Sequence, residues 1–364
     1  VKFRQREGWT HRDLLRLSHP ETAEDERKRL FDWICGREPA LDGLRLVEGF
    51  HRAQTADAAA VPALVHEYRL SWEMLPDTAL TEPAVWEALL DNGLPHTALM
   101  RQLPQLTGLG LLDPLATRTG AVAAQPADPE RLQRARVHPV NVLVALRTYA
   151  AGRGVRGRGT WTPAQQIVDA LDAAFYAAFR AVKPTGKRYL LALDVSGSMA
   201  SPIAGLPLSA REASAALALV TAATETHHRI VGFTARGDGA SYREAGLRQV
   251  DISPRQRLDD AIRAVSSLPF GGTDCSLPMR YALERGIDVD VFVVLTDSET
   301  WAGQQHPHQS LRRYREHINP QAKLVVGMTA SHFTIADPQD AGMLDIAGFD
   351  AGVPALPADF ARGA

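Results

Sequence analysis

The chain has 364 residues, 45% of them apolar and 23% charged, with a formal net charge of −2. This describes a globular sequence of about two domains with a substantial core and no bulk charge that announces nucleic acid. Two cysteines, Cys35 and Cys275, make neither a disulfide framework nor a metal-type spacing, so a reducing cytoplasm is the expected compartment. No apolar run approaches a membrane span and no signal-peptide pattern opens the chain. Its start at Val1, inside a charged segment, suggests a piece of a longer protein.

Residues 1–183 read as helices. Trp9-Thr-His-Arg-Asp-Leu-Leu-Arg-Leu17 has Thr10 as an N-cap and Asp13 three positions on, an approximate capping box, with Leu14, Leu15 and Leu17 as an apolar face. Further helical patterns cover 24–36, 40–50, 57–68, 82–92, 95–103, 139–151 and 163–182. Pro20, Pro39, Pro76, Pro104, Pro114 and Pro139 mark the expected breaks. Short helices joined by brief loops suggest an α-solenoid of HEAT or armadillo type, although no clean repeat period emerges.

Charge is uneven along the chain. Between Arg131 and Arg188 stand eleven Lys or Arg residues against two acids, Asp169 and Asp172. Within this stretch lies Gly152-Arg-Gly-Val-Arg-Gly-Arg-Gly159, followed by Thr160 and Trp161. Such a run is either a solvated face or a phosphate-contacting stripe, with glycine N–H groups and forked guanidinium donors facing an anion. Gly152-x-Gly154-x-x-Gly157 matches the dinucleotide fingerprint, but it follows a helical pattern rather than a strand, and we reject nucleotide binding by it. Trp161 stands where it can stack on a base or fill a core; we read it as core. His11 and His19 are equally readable as phosphate donors or structural residues, and the adjacent pair His227-His228 is poor metal-ligand spacing.

After Lys183-Pro-Thr-Gly-Lys187, a linker that sets the expected boundary between domains 1–183 and 187–364, the pattern changes. Apolar runs at 189–193, 229–234, 289–295 and 323–329 alternate with helical patterns at 209–224, 255–267, 275–286 and 308–318. That alternation predicts a doubly wound, Rossmann-like α/β sheet. The first run ends in Asp194-Val-Ser196-Gly-Ser198; Thr273 follows in Phe270-Gly-Gly-Thr-Asp-Cys275, and Asp297 ends Val291-Phe-Val-Val-Leu-Thr-Asp297. In open α/β sheets the carboxyl ends of strands are where ligands bind. Asp194, Ser196, Ser198, Thr273 and Asp297 are all oxygen donors, which suits a hard divalent ion such as Mg²⁺. Two carboxylates barely neutralise it, leaving room for water or an acidic outside ligand. The alternative is an ordinary polar turn after a strand.

These segments resemble the Ro autoantigen RNA-binding family, a TROVE module followed by a von Willebrand factor A (VWA) domain. Gly8-Trp-Thr-His-Arg-Asp-Leu-Leu-Arg-Leu-Ser-His-Pro20 and Gly154-Val-Arg-Gly-Arg-Gly-Thr-Trp161 look like TROVE segments. Leu193–Met199, Phe270–Ser276 and Thr296–Ala302 look like the VWA domain. The resemblance implies a ring of HEAT-like repeats closed by the VWA domain, with the first part of the TROVE module lying before Val1. It also implies binding of Y-like noncoding RNA and of single-stranded ends of misfolded or unprocessed RNA, and a metal-ion-dependent adhesion site on the five oxygen donors. Arg12, Arg16, Arg153, Arg156 and Arg158 are the chosen phosphate contacts. An exoribonuclease, or another protein offering an acidic ligand to the metal, is the expected protein partner.

Three functional readings follow: an RNA-binding ribonucleoprotein component of RNA quality control, without chemistry of its own; a metal-dependent adhesion module with a helical scaffold; and a metal-dependent phosphohydrolase or nuclease. The last is disfavoured by Ser196 standing where an aspartyl-phosphate enzyme needs a second Asp, and by too few carboxylates for two metals. Asp274 is expected to brace its loop and Glu299 to cap the next helix. Cys275 lacks a His partner and is read as a small residue at a helix start.

Overall fold

The computed structural model describes residues 5–6, 8–37, 43–154, 159–203, 205–234, 246–268, 271–297, 300, 305–329, 335–348 and 355–363. Two compact units divide the chain, Val1–Thr119 and Gly120–Ala364.

The first unit opens with a short antiparallel pair, β1 (Gln5–Arg6) and β2 (Trp9–Thr10). Five of its helices then follow one another: α1 (His11–Ser18), α2 (Asp25–Ile34), α3 (Arg45–Thr55), α4 (Val61–Tyr68) and α5 (Pro83–Asp91). Next come α6 (His96–Gly108) and α7 (Thr117–Ala123), the latter crossing the division between units. The capping box at α1 forms as expected: Thr10 Oγ1 accepts from Asp13 N at 3.2 Å, and Asp13 Oδ2 accepts from Thr10 N at 2.9 Å. Consecutive helices pack on one another, α3 on α4 and α4 on α5. Gly49 lets the ring of Tyr68 lie directly on the α3 backbone. Trp86 is 1% exposed, and its Nε1–H donates to Leu80 O at 2.8 Å, the partner a buried indole needs.

Two expectations fail here. Pro104 does not break its helix; it lies inside α6. It offers no N–H to the carbonyl four residues back, but the buried row Leu99, Leu103 and Leu106 runs past it and holds the helix together. The helix expected at 40–50 is instead Arg45–Thr55, because its buried face is Val47, Gly49, Phe50 and Ala53.

The second unit holds α8 (Pro129–Ala135), α9 (Pro139–Ala150) and α10 (Gln165–Ala177), and then the sheet. Its elements are β3 (Tyr189–Asp194), α11 (Ala210–Thr224), β4 (His228–Phe233), β5 (Arg248–Gln249), α12 (Leu258–Ser266), α13 (Leu277–Arg285), β6 (Val291–Leu295), α14 (Pro307–His317), β7 (Lys323–Thr329), β8 (Met343–Ala347) and α15 (Leu356–Arg362). Strand order is β5-β4-β3-β6-β7-β8. Every pair is parallel except β4–β5. This is the doubly wound α/β arrangement the alternation predicts. α7, α8, β5, β8 and α15 carry no pattern that the sequence made legible.

β3 is buried along its whole length, as a central parallel strand between two helical layers must be. Phe292 and Tyr314 meet edge to face at 4.9 Å. Tyr314 Oη accepts from Val289 N and donates to Ile287 O, both at 2.8 Å, which fixes α14 against the start of β6. The linker before β3 is clamped: Glu225 Oε1 and Oε2 accept from the backbone N–H groups of Thr185 and Gly186 at 2.7 and 3.1 Å. The helical pair α9–α10 is tied to the α/β layer by side chains. Arg147 reaches Glu212 at 3.3 Å and Asp259 at 3.4 Å; Arg257 pairs with Asp172, and Tyr176 Oη accepts from Leu258 N at 2.9 Å.

Candidate functional site

The chain leaves β3 toward α11 and β4 on one side, and leaves β6 toward α14 and β7 on the other. The gap between the carboxyl ends of β3 and β6 is therefore the topological switch point of the sheet, where open α/β folds bind ligands. Leu193 pairs in register with Leu295, so Asp194 and Thr296 stand side by side just beyond. Thr296 Oγ1 donates to Asp194 Oδ2 at 2.7 Å, and Ser196 N donates to Asp194 Oδ1 at 2.8 Å. Ser196 is the residue before a one-turn 3-10 segment, Gly197–Ala200. That turn brings Ser198 Oγ to 3.0 Å from Ser196 Oγ.

The Thr273 loop is pinned above these strand ends. Thr234 Oγ1, just past β4, donates to Gly272 O at 3.1 Å. Cys275 N donates to Thr300 Oγ1 at 3.3 Å, and Cys275 Sγ lies 3.9 Å from Thr296 Oγ1. Asp194, Ser196 and Thr273 are buried, Asp297 is half-buried and Ser198 is exposed, giving a donor set that is rigid below and open above.

Burial pushes the Asp194 carboxyl above the ordinary carboxylate range. The hydrogen bonds from Thr296 and Ser196 pull it back in part, and the nearby charge of Asp297 raises it again. Among the described residues, two acids close enough to feel each other, with the paired hydroxyls of Ser196 and Ser198 beside Asp194 and the Thr273 loop pinned next to them, form a set that a divalent cation fits. Among those residues no group of three or more His, Cys, Asp or Glu is arranged to hold a metal; this donor set relies on hydroxyls instead. Mg²⁺ accepts such a set because it keeps several of its waters.

The neighbours behave as structural residues. Asp274 Oδ1 accepts from Ser276 N at 2.9 Å and Ser276 Oγ at 2.6 Å, and Arg280 lies 3.5 Å from Asp274 Oδ2; this brace starts α13. Cys275 is fully buried, and burial, with Asp194 second, drives its thiol far up, so it is no thiolate nucleophile. Glu299 lies outside the described residues. Sequence reasoning missed Thr296, which orients Asp194, and Arg211, whose Nη2 donates to Ser196 O at 3.0 Å. Thr296 was recoverable from the register of two adjacent parallel strands; Arg211 carries no such signal.

The basic residues divide between the units. Arg12 and Arg16 lie exposed on α1, and the Arg12 guanidinium donates to Cys35 O. His11 and Arg12 line an open concavity with Trp33, Phe50 and His51. Arg153 lies exposed in the second unit at the base of a hairpin: it pairs with Thr160, Gly154 N donates to Gly159 O at 2.9 Å, and Trp161 N donates to Gly152 O at 3.0 Å. Gly152 takes φ 65°, and a Cβ there would stand 2.9 Å from Trp161 O, so Gly152, Gly154 and Gly159 pair two backbone segments after a helix rather than follow a strand as a nucleotide loop does. Arg156 and Arg158 lie outside the described residues. Trp161 is half-buried, stacked on Tyr149 and donating from Nε1 to Tyr149 O at 2.9 Å, which fits its reading as a packing residue. Arg147 and Arg188 serve the fold, Arg188 through Asp288 and Asp290. The cationic surplus at the surface is thus smaller than the sequence count.

Comparison with known proteins matches residues 188–361 to the family described as the Ro60 vWA domain and residues 67–148 to the TROVE domain. A curated relative from Deinococcus radiodurans, RNA-binding protein RO60, is 42% identical over all of this chain and 68% of its own length. One of the same name from Caenorhabditis elegans is 37% identical over all of this chain and 62% of its own. This chain thus spans about two thirds of the length of these relatives. The crystal structure of the Deinococcus radiodurans RO (RSR) protein superposes with a TM-score of 0.86 at 42% identity, covering all of this chain and 72% of that one. The chain belongs to the Ro60 family, with a TROVE region followed by a Ro60-type vWA domain.

Proposed function

We propose that this protein binds RNA as Ro proteins do, holding single-stranded ends of misfolded or unprocessed RNA and Y-like noncoding RNA, and acts in the cytoplasm in RNA quality control without chemistry of its own. The observation that carries this reading is the similarity, along all of this chain and about two thirds of theirs, to proteins named RNA-binding protein RO60. The exposed arginines Arg12, Arg16 and Arg153 supply phosphate donors, joined in the sequence by Arg156 and Arg158. Binding of this kind is largely electrostatic and falls steeply with salt. The test is the affinity for a single-stranded oligoribonucleotide with Arg153, Arg156 and Arg158 reversed to Glu together. Unchanged affinity removes the hairpin from the interface.

The convergence of Asp194, Ser196 and the Thr273 loop at the switch point supports a second, compatible role. Asp194, Ser196, Ser198, Thr273 and Asp297 would hold Mg²⁺, which when bound offers an electrophilic position to an acidic side chain. The partner is a protein, such as an exoribonuclease, and the residues here orient the cation rather than drive a reaction. EDTA separates the roles: RNA affinity persists while the protein partner is lost.

A further inference from the structure

A second polar crevice lies away from the strand ends, between α13 and α14, which pack against each other. Its volume is about 160 Å³, and it is lined by Arg280, Leu283 and Glu284 from α13, by Ser310 and Arg313 from α14, and by Gln305 just before that helix. Ser310 is 2% exposed, and its Oγ has no hydrogen-bond partner among the described residues. A buried hydroxyl without a partner is a rare and costly state that points to an absent ligand or water. Here it faces a crevice with two guanidinium groups and one carboxylate. Arg280 shares one nitrogen with Asp274 at 3.5 Å, leaving its other donors available. Arg313 and Glu284 are exposed at the rim. The first turn of α14 adds its positive dipole end on the same side.

We propose that this crevice is a phosphate site, in which Arg280, Arg313, Ser310 Oγ and the Gln305 amide donate to one tetrahedral oxyanion. Donors arriving from two helices suit a tetrahedral group better than a planar carboxylate, which a single arginine fork satisfies. Water alone could pair with the hydroxyl but would leave two guanidinium groups lining the crevice with only Glu284 and the shared Asp274 as counter-charges. The volume admits a phosphate with part of its hydration shell and excludes a whole nucleotide, so the phosphate is either a free ion or the end group of a chain lying outside. The site is independent of the RNA-binding reading.

The test is calorimetric titration of inorganic phosphate into the full chain, with ionic strength held constant by chloride. Saturable binding is expected, weakened about tenfold in both Arg313→Gln and Ser310→Ala, the loss of one hydrogen bond to a charged group. Arg312→Gln, an equal charge change on a neighbour that pairs with Asp337, leaves it unchanged. Circular dichroism of each variant confirms folding. A 5′-phosphorylated oligoribonucleotide that binds more tightly than its 5′-hydroxyl twin, with the advantage lost in Arg313→Gln, assigns the phosphate to a nucleic acid end. No such advantage, with inorganic phosphate still bound, assigns it to the free ion. Absence of saturable phosphate binding, or equal weakening by Arg312→Gln, overturns the proposal.

Discussion

Replacing Asp194 with Asn should stabilise the metal-free protein while removing its response to Mg²⁺. The carboxylate is 1% exposed. Burying a charge costs several kcal/mol, and its two hydrogen bonds, from Ser196 N and Thr296 Oγ1, return about 1.5–3 kcal/mol each. Asp297 adds repulsion, leaving a net penalty on the order of 1 kcal/mol. The sign follows from the raised carboxyl. The folded chain holds this proton more tightly than the unfolded chain, so ionisation costs stability at neutral pH and the cost fades as pH falls toward the folded value. Asn abolishes the charge and keeps the shape, so the metal-free melting temperature of the vWA-bearing unit should rise by about 2–4 °C. Mg²⁺ at a hundred times its dissociation constant should stabilise the unmodified protein by about 2.7 kcal/mol and the variant not at all. Differential scanning calorimetry at neutral pH, with EDTA or with Mg²⁺, reads both effects. A variant that melts lower in EDTA, or still gains stability from Mg²⁺, refutes this account of the site.

Acid should strip stability through Asp290, whose carboxyl is held down to about 2 from an ordinary value near 3.8, chiefly by Arg188. That contribution is complete above about pH 4 and is lost as pH falls toward 2; Asp290→Asn should flatten this limb of a pH–stability curve. Gly49→Ala should destabilise the first unit by about 1–3 kcal/mol, because a Cβ there runs into the Tyr68 ring; chemical denaturation checks it. A denaturation midpoint equal to wild type would mean that Tyr68 moves aside.

The apolar runs that became β3, β4, β6 and β7 were legible because central parallel strands carry unbroken hydrophobic residues. β8 was not: it is an edge strand with Asp345 in the middle, and only pairing with β7 defines it. Pro104 misled because local chemistry says helix break while the buried row of α6 says otherwise. At the site, Asp194, Ser196 and Ser198 are a local motif and could be read directly. The bracing by Asp274 is likewise local, since it holds Ser276 two residues on; Thr296 needs the pairing of β3 with β6 to be seen, and Arg280 and Arg211 reach in from helices with no local signal. The basic stretch was over-read for the same reason. Arg147 and Arg188 find their acids at Glu212, Asp259, Asp288 and Asp290, too far along the chain for composition to reveal.

The proposed division of labour puts RNA on the helical, arginine-bearing part and docking on the oxygen donors of the vWA domain. Ultraviolet crosslinking of a single-stranded RNA to the protein, with the crosslinked residues mapped by mass spectrometry, tests it most directly. Crosslinks should fall within residues 1–183, including the 152–161 segment, and be unchanged by EDTA. Crosslinks confined to residues 187–364 around Asp194, or abolished by EDTA, would contradict it.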